Sequence, residues 1–168
     1  MPRPLIYEIE TATGCNRKPG CKFCIESIRG INHTSRLVDD IVAEMKSLYS
    51  EGVRYFRLGR QPNFFAYFNT SPNKVEELFQ KIWTNCPEIK VLHIDNVSPH
   101  NVNTSSGKKI AEIVAKYCTS GNIAPFGVES FDPKVRSINN LNGSVEDIMK
   151  SIEIINEVGS KITDEGTT

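Results

Sequence analysis

Stretches with a two-residue period alternate four times with stretches of helical period, and nothing else in the sequence restricts the fold as much. Leu5 to Thr11 puts Leu5, Tyr7 and Ile9 on one face and Ile6, Glu8 and Glu10 on the other, which predicts a strand. A helix is expected next, capped by Ser35, with Asp39 and Asp40 in its first turn and Leu37, Ile41, Met45 and Leu48 as its apolar stripe, stopping at Gly52. Val53 to Gly59 reads as a second strand, with Phe56 and Leu58 opposite Tyr55 and Arg57. Ser71 and Pro72 start a helix whose stripe is Val75, Leu78, Phe79, Ile82 and Trp83. Ile89 to Asn96 is the third strand, and Ile110, Ile113, Val114 and Tyr117 mark a helix closed by Gly121. Asn122 to Ser130 reads as a fourth strand, with Pro125 where no donor is needed. Ser144 and Asp147 form a near capping box before a helix carrying Val145, Ile148, Ile152 and Ile155, with Gly159 as its cap. Lys161 and Ile162 are expected to begin a fifth strand.

Such repetition predicts an α/β fold with a parallel sheet covered by helices. Two architectures share the pattern, and the strand faces separate them. One face of each strand is apolar, while the other carries Glu8 and Glu10, then Arg57, then His93 and Asp95, then Glu129. A doubly wound sheet is covered on both faces and needs both apolar. A polar inner face near the strand C-termini instead fits a barrel with its site at that end, so an incomplete, TIM-like barrel is expected, broken off at the start of its fifth strand. The segment GRQPNFFAYFNT, too aromatic for an idle loop, is expected to fold over a site or a neighbouring element.

Between the first strand and first helix lies GCNRKPGCKFCIESIR, residues 14–29, which holds three of the five cysteines. Thiolates in one loop can hold three corners of a tetrahedral zinc site or of a 4Fe-4S cube with one position open. Zinc would want a fourth ligand, for which His33 is nearest in sequence. A redox pair of the CKFC kind explains neither Cys15 nor the cations Arg17, Lys18, Lys22 and Arg29, whereas these suit a bound group of negative charge. The loop's position at the C-terminal end of a barrel strand favours chemistry over a structural staple. Cys86 and Cys118, near helix ends, read as small buried hydrophobes.

Twenty basic residues balance twenty acidic ones, so no global field favours nucleic acid. No apolar run approaches the roughly 18 residues of a membrane span, and MPRPLIYEIE has no signal segment; a cytoplasmic protein is expected, with no membrane partner.

Cys15, Cys21 and Cys24, with the aromatic Phe23 just before the last, resemble the hallmark of the radical S-adenosylmethionine (radical SAM) superfamily. Five residues separate Cys15 from Cys21, where most members have three. FCIES, GVRYFRLGRQPNF and FGVES are similar to stretches of the methylthiotransferase branch and of members with cobalamin-binding domains. LGRQPNFFAY, LHIDNVSP and FGVESFDPKV resemble an uncharacterised group that carries a C-terminal helix-hairpin-helix segment. The resemblance implies that residues 1–168 are the N-terminal part of a radical SAM core, with the cluster loop at 14–30. It implies a 4Fe-4S cluster on the three cysteines, with S-adenosylmethionine on the open iron. An external one-electron reductant is then needed for cleavage to a 5′-deoxyadenosyl radical, which takes hydrogen from an unknown substrate, RNA or protein among the options. It also implies that the segment of Gly59, Arg60 and Gln61 meets the methionine amino group, with Arg60 instead suited to a carboxylate, that Glu129 and Ser130 meet the ribose, Asp95 and Asn96 the cosubstrate or substrate, and Phe23 the adenine. The usual carboxylate after the glycine is missing here; Gln61 offers an amide oxygen in its place. A zinc-stabilised α/β binding module without catalysis is the alternative.

Overall fold

The computed structural model describes residues 6–165. In chain order its elements are β1 (Tyr7–Glu10), β2 (Ala12–Thr13), α1 (Ile25–Arg29), β3 (Thr34–Ser35), α2 (Val38–Ser50) and β4 (Tyr55–Gly59). A 3-10 turn (Phe64–Ala66) precedes α3 (Pro72–Asn85), β5 (Val91–Ile94), α4 (Pro99–Val102), α5 (Ser105–Tyr117), α6 (Pro133–Asn139) and α7 (Val145–Glu165).

Three strands make one parallel sheet in the order β1-β4-β5, with Ile9 beside Leu58 and Leu58 beside Ile94. Alternation puts Ile9, Phe56, Leu58, Leu92 and Ile94 on the face that meets the apolar stripes of α2, α3 and α5, and all five are buried. Full burial of each such side chain contributes roughly 1.5–3 kcal/mol. The opposite face carries Glu8, Arg57 and His93, none of which is buried. Arg57 Nη1 meets Glu8 Oε1 at 3.3 Å, while His93 Nε2 lies 3.2 Å from the Ser120 carbonyl. One covered face and one open polar face are what an unclosed barrel presents, and the strand polarity anticipates it.

The expected fourth strand does not form. Residues 122–130 run alongside β5 with a single bridge, Val97 to Phe126, and one backbone bond, Val97 N–H to the Pro125 carbonyl at 3.0 Å. Side chains take the edge donors that a strand would use. Thr119 Oγ1 accepts from Leu92 N–H at 3.0 Å and Asn122 Oδ1 accepts from Ile94 N–H at 2.8 Å. Pro125, with no N–H, interrupts any ladder further along.

No fifth strand begins at Lys161 and Ile162 either, because α7 runs through them to Glu165. Gly159 does not cap it. An exposed glycine inside a helix costs only about 1 kcal/mol, and Ile148, Ser151 and Val158, all buried on one face, carry the helix past it.

Ser35 likewise belongs to β3 and not to a helix cap. Its Oγ accepts from Phe68 N–H at 2.9 Å, and α2 starts after Leu37, which is exposed and supplies no side-chain acceptor. The other start signals form as expected. Ser71 Oγ accepts from Lys74 N–H at 3.4 Å, and Ser144 and Asp147 exchange bonds of 2.9 and 3.0 Å ahead of α7.

Candidate metal and cosubstrate site

All three parallel strands end at the same edge of the sheet, so the segments leaving them are neighbours in space. The chain leaves β1 and returns along β3, where Ala12 pairs with Ser35 and Thr13 with Thr34. This short ladder closes the neck of the cysteine loop. Cys15 bridges to Asn32 just beyond it, and Gly14, at φ 69°, has no room for a side chain, since a Cβ would stand 2.5 Å from the Asn32 oxygen.

Inside the loop, Cys24 is the N-cap of α1 and its N–H donates to the Cys21 carbonyl at 3.2 Å. Arg17 is turned to the thiols. Its N–H lies 3.4 Å from Cys15 Sγ, and its Nη1 lies 3.0 Å from both Cys21 Sγ and the Asn140 carbonyl. The five-residue gap is tied down from outside: Asn140 Nδ2 donates to the carbonyls of Pro19 and Gly20 at 2.8 and 2.9 Å.

Gly59 and Arg60 leave β4 through a sharp turn, with Arg60 at φ 63°. Gln61 follows and is 1% exposed. Its Nε2 donates to the Leu58 carbonyl at 3.0 Å, while its Oε1 is buried without a hydrogen-bond partner. Beyond it the aromatic segment packs into the core and does not cover the site. Phe64, Phe65 and Tyr67 are fully buried, and the Tyr67 hydroxyl donates to the Arg36 carbonyl at 2.8 Å. Asn63 anchors this turn by accepting at Oδ1 from the N–H groups of Phe65 (3.1 Å) and Ser98 (3.0 Å).

These segments enclose a cavity of about 420 Å³ whose wall includes Cys15, Cys21, Cys24, Phe23, Arg60, Gln61, Asn96 and Glu129. Eight of the eleven residues singled out from the sequence thus meet in one place. Phe23 is 53% exposed at its rim, and Asn96 Nδ2 donates to the Gln61 carbonyl at 3.2 Å. The remaining three stand behind or beside the wall. Gly59 is packed against Asp95, whose Oδ2 would lie 3.4 Å from a Cβ at that glycine. Ser130 Oγ accepts from Asp132 N–H at 3.1 Å and opens the turn into α6. Glu129 does not pair with Arg57, which has Glu8.

Among the described residues no group of three or more Cys, His, Asp or Glu side chains is arranged to hold a single metal ion. His33, the ligand a zinc site would want, is not in the wall with the thiols, and burial lowers its pKa. Thiolates of one iron-sulfur cube ligate different iron atoms, so they need not converge on a point as zinc ligands must. Cys86 and Cys118 stand apart, and burial pushes the Cys118 thiol up to about 12. Sequence reasoning passed over Ser27 and Asn142 in the wall, and Arg136 behind it. None of these follows a local pattern.

The fold and its thiol-lined edge define a parallel α/β protein of the partial-barrel kind. The sequence profile of the Radical SAM superfamily matches residues 9–167, and the chain belongs to that superfamily, whose cofactors are a 4Fe-4S cluster and S-adenosylmethionine. An uncharacterised protein of Methanocaldococcus jannaschii is 46% identical over 171 residues, covering 94% of this chain and 31% of its own length. A ribosomal protein uS12 methylthiotransferase, RimO, of Phocaeicola vulgatus is 28% identical over 92 residues, 54% of this chain and 21% of the relative. Among solved structures, the radical S-adenosylmethionine methyltransferase TsrM of Kitasatospora setae, with tryptophan and an S-adenosylmethionine analogue bound, superposes with a TM-score of 0.67. It is 18% identical over 92% of this chain and 28% of its own, which is a likeness of fold. A second TsrM structure, with cobalamin and a [4Fe-4S] cluster bound, matches equally well. The chain thus spans about a third of the length of the first relatives it matches. Among the described residues no helix is long and apolar enough to cross a membrane.

Proposed function

We propose that this chain is the cluster- and cosubstrate-binding part of a radical SAM enzyme, with Cys15, Cys21 and Cys24 holding a 4Fe-4S cluster and S-adenosylmethionine lying across the cavity beside it. The observation that carries this reading is Gln61 Oε1, a buried acceptor with no partner, in the same wall as the three thiols. An unmet buried acceptor costs about 1–3 kcal/mol, so it calls for a donor, and the amino group of the cosubstrate is one. Arg17 Nη1 at Cys21 Sγ adds a cation where thiolate charge would gather. Glu129, in the same wall, offers a carboxylate to the ribose diol, and Phe23 an aromatic face to the adenine. Arg60, in the wall, would meet the cosubstrate carboxylate.

When bound and reduced by an external one-electron donor, the group supplies cleavage of S-adenosylmethionine to methionine and a 5′-deoxyadenosyl radical, which removes hydrogen from a substrate. The residues of this chain bind, orient and shield. The RimO matches, named for a ribosomal protein, favour a protein substrate, and this chain spans about a third of the length of the first relatives it matches. Five free thiols are in keeping with a reducing, cytoplasmic setting.

The test is anaerobic reconstitution with iron and sulfide, followed by electron paramagnetic resonance of the reduced protein with and without S-adenosylmethionine. A signal that shifts with the cosubstrate, and is lost when the three cysteines become Ala, is the expected result. Stoichiometric zinc with no cluster would return the chain to the binding-module alternative.

A further inference from the structure

Arg136 is 7% exposed, and among the described residues no carboxylate forms an ion pair with it. Its guanidinium instead donates to four main-chain carbonyls. Nη1 reaches Val128 at 3.0 Å and Ser130 at 2.5 Å; Nη2 reaches Asn142 at 2.7 Å and Gly143 at 2.6 Å. A buried cation satisfied only by carbonyls is costly to keep for packing alone, since an apolar side chain would fill the space without desolvating a charge. What it holds is informative. Val128 and Ser130 are the two neighbours of Glu129, and Asn142 is in the cavity wall.

Nη1 holds the Val128 carbonyl, in the peptide before Glu129, and the Ser130 carbonyl just beyond the turn, while Ser130 N–H donates to the same Val128 oxygen at 2.7 Å and closes the turn on Glu129, which sits at φ 60°. That left-handed conformation is unfavourable for a residue with a Cβ and persists only where its surroundings impose it. Its consequence is directional: the Glu129 side chain stands at the cavity over Gly127, where a Cβ would lie 3.5 Å from Glu129 Oε1. Neither neighbour, Val128 or Ser130, is in the wall.

We propose that Arg136 is a positioning residue, whose planar fork holds in place the left-handed turn that aims the Glu129 carboxylate at the ribose of S-adenosylmethionine. The inference rests on the proposed cosubstrate site. A lysine retains the charge but not the flat, forked donor set, so it cannot reproduce four directed bonds.

Binding of S-adenosylmethionine and of methionine to the reconstituted protein, in wild type, Arg136→Lys, Glu129→Gln and the double variant, tests it. Methionine has the amino and carboxylate groups but no ribose. Expected is about a tenfold or greater loss of S-adenosylmethionine affinity in Arg136→Lys, with methionine affinity and iron content unchanged, and no additional loss when Arg136→Lys is added to Glu129→Gln. Equal losses for both ligands, or additive losses in the double variant, would mean a general structural role and overturn the proposal. If the wild type binds no S-adenosylmethionine, the cosubstrate reading itself fails, and this inference with it. Should Arg136→Lys not fold, a structure of the wild type with S-adenosylmethionine bound decides. Glu129 on the ribose with all four carbonyl bonds intact supports the proposal, and a released fork or a carboxylate turned away overturns it.

Discussion

Two segments leave neighbouring strands at the same edge of the sheet, and they are held in opposite ways. The aromatic segment after β4 buries Phe64, Phe65 and Tyr67 completely and stacks Phe64 against Tyr67 with ring centroids 6.5 Å apart. The cysteine loop after β1 buries none of its helix α1, and Phe23, Ile25 and Ile28 are exposed. Polar tethers hold it, among them the β2–β3 neck, Arg17, the Lys22 N–H to the Asn139 carbonyl at 3.0 Å and the Asn140 amide. One segment is thus part of the core and fixes Gln61 in place, whereas the other relies on a handful of hydrogen bonds. Rigid support on one side and a lightly tethered loop on the other suit the cluster site proposed above, which would be filled after the chain has folded.

Substitutions in the two segments should separate global stability from metal retention. Phe64→Ala is expected to cost about 3–5 kcal/mol in denaturant unfolding, because it opens a cavity in the core. Asn63→Ala leaves the N–H groups of Phe65 and Ser98 without their acceptor, and about 2 kcal/mol is expected by the same measurement. Tyr67→Phe keeps the ring and removes one bond to Arg36, for about 1 kcal/mol. Cys21→Ala, by contrast, should leave the metal-free protein within about 0.5 kcal/mol of wild type while abolishing iron and sulfide uptake on reconstitution. A large stability loss in Cys21→Ala would show that the loop is part of the core after all, and the comparison would fail. Asn140→Asp, which removes the donor to Pro19 and Gly20, should barely change the unfolding midpoint but speed iron loss to a chelator several-fold.

Patterns that are local in sequence were legible. The stripes of α3 and α5 and the Ser144–Asp147 capping box each depend on residues a few positions apart, and the chain realises them as read. The polar second face of the strands was also visible, because a period of two is set by backbone geometry alone. Where those readings failed, distant partners had intervened. Asn122 and Thr119 occupied the edge of β5 and denied the fourth strand its ladder, β2 claimed Ser35, and the buried face of α7 carried that helix past Gly159.

The sequence by itself determined which groups are present and in what order: the thiol loop after the first strand, the amide in place of a carboxylate at Gln61, and the helix stripes. Only the tertiary structure decided which groups face one another. It left Gln61 Oε1 without a partner beside the thiols, set Asn140 against Pro19 and Gly20 more than a hundred residues away in sequence, and brought Arg136 onto the carbonyls around the left-handed turn at Glu129. The physical reason is that hydrogen-bond satisfaction in a packed interior is a property of the whole fold, whereas periodicity and spacing are properties of the chain.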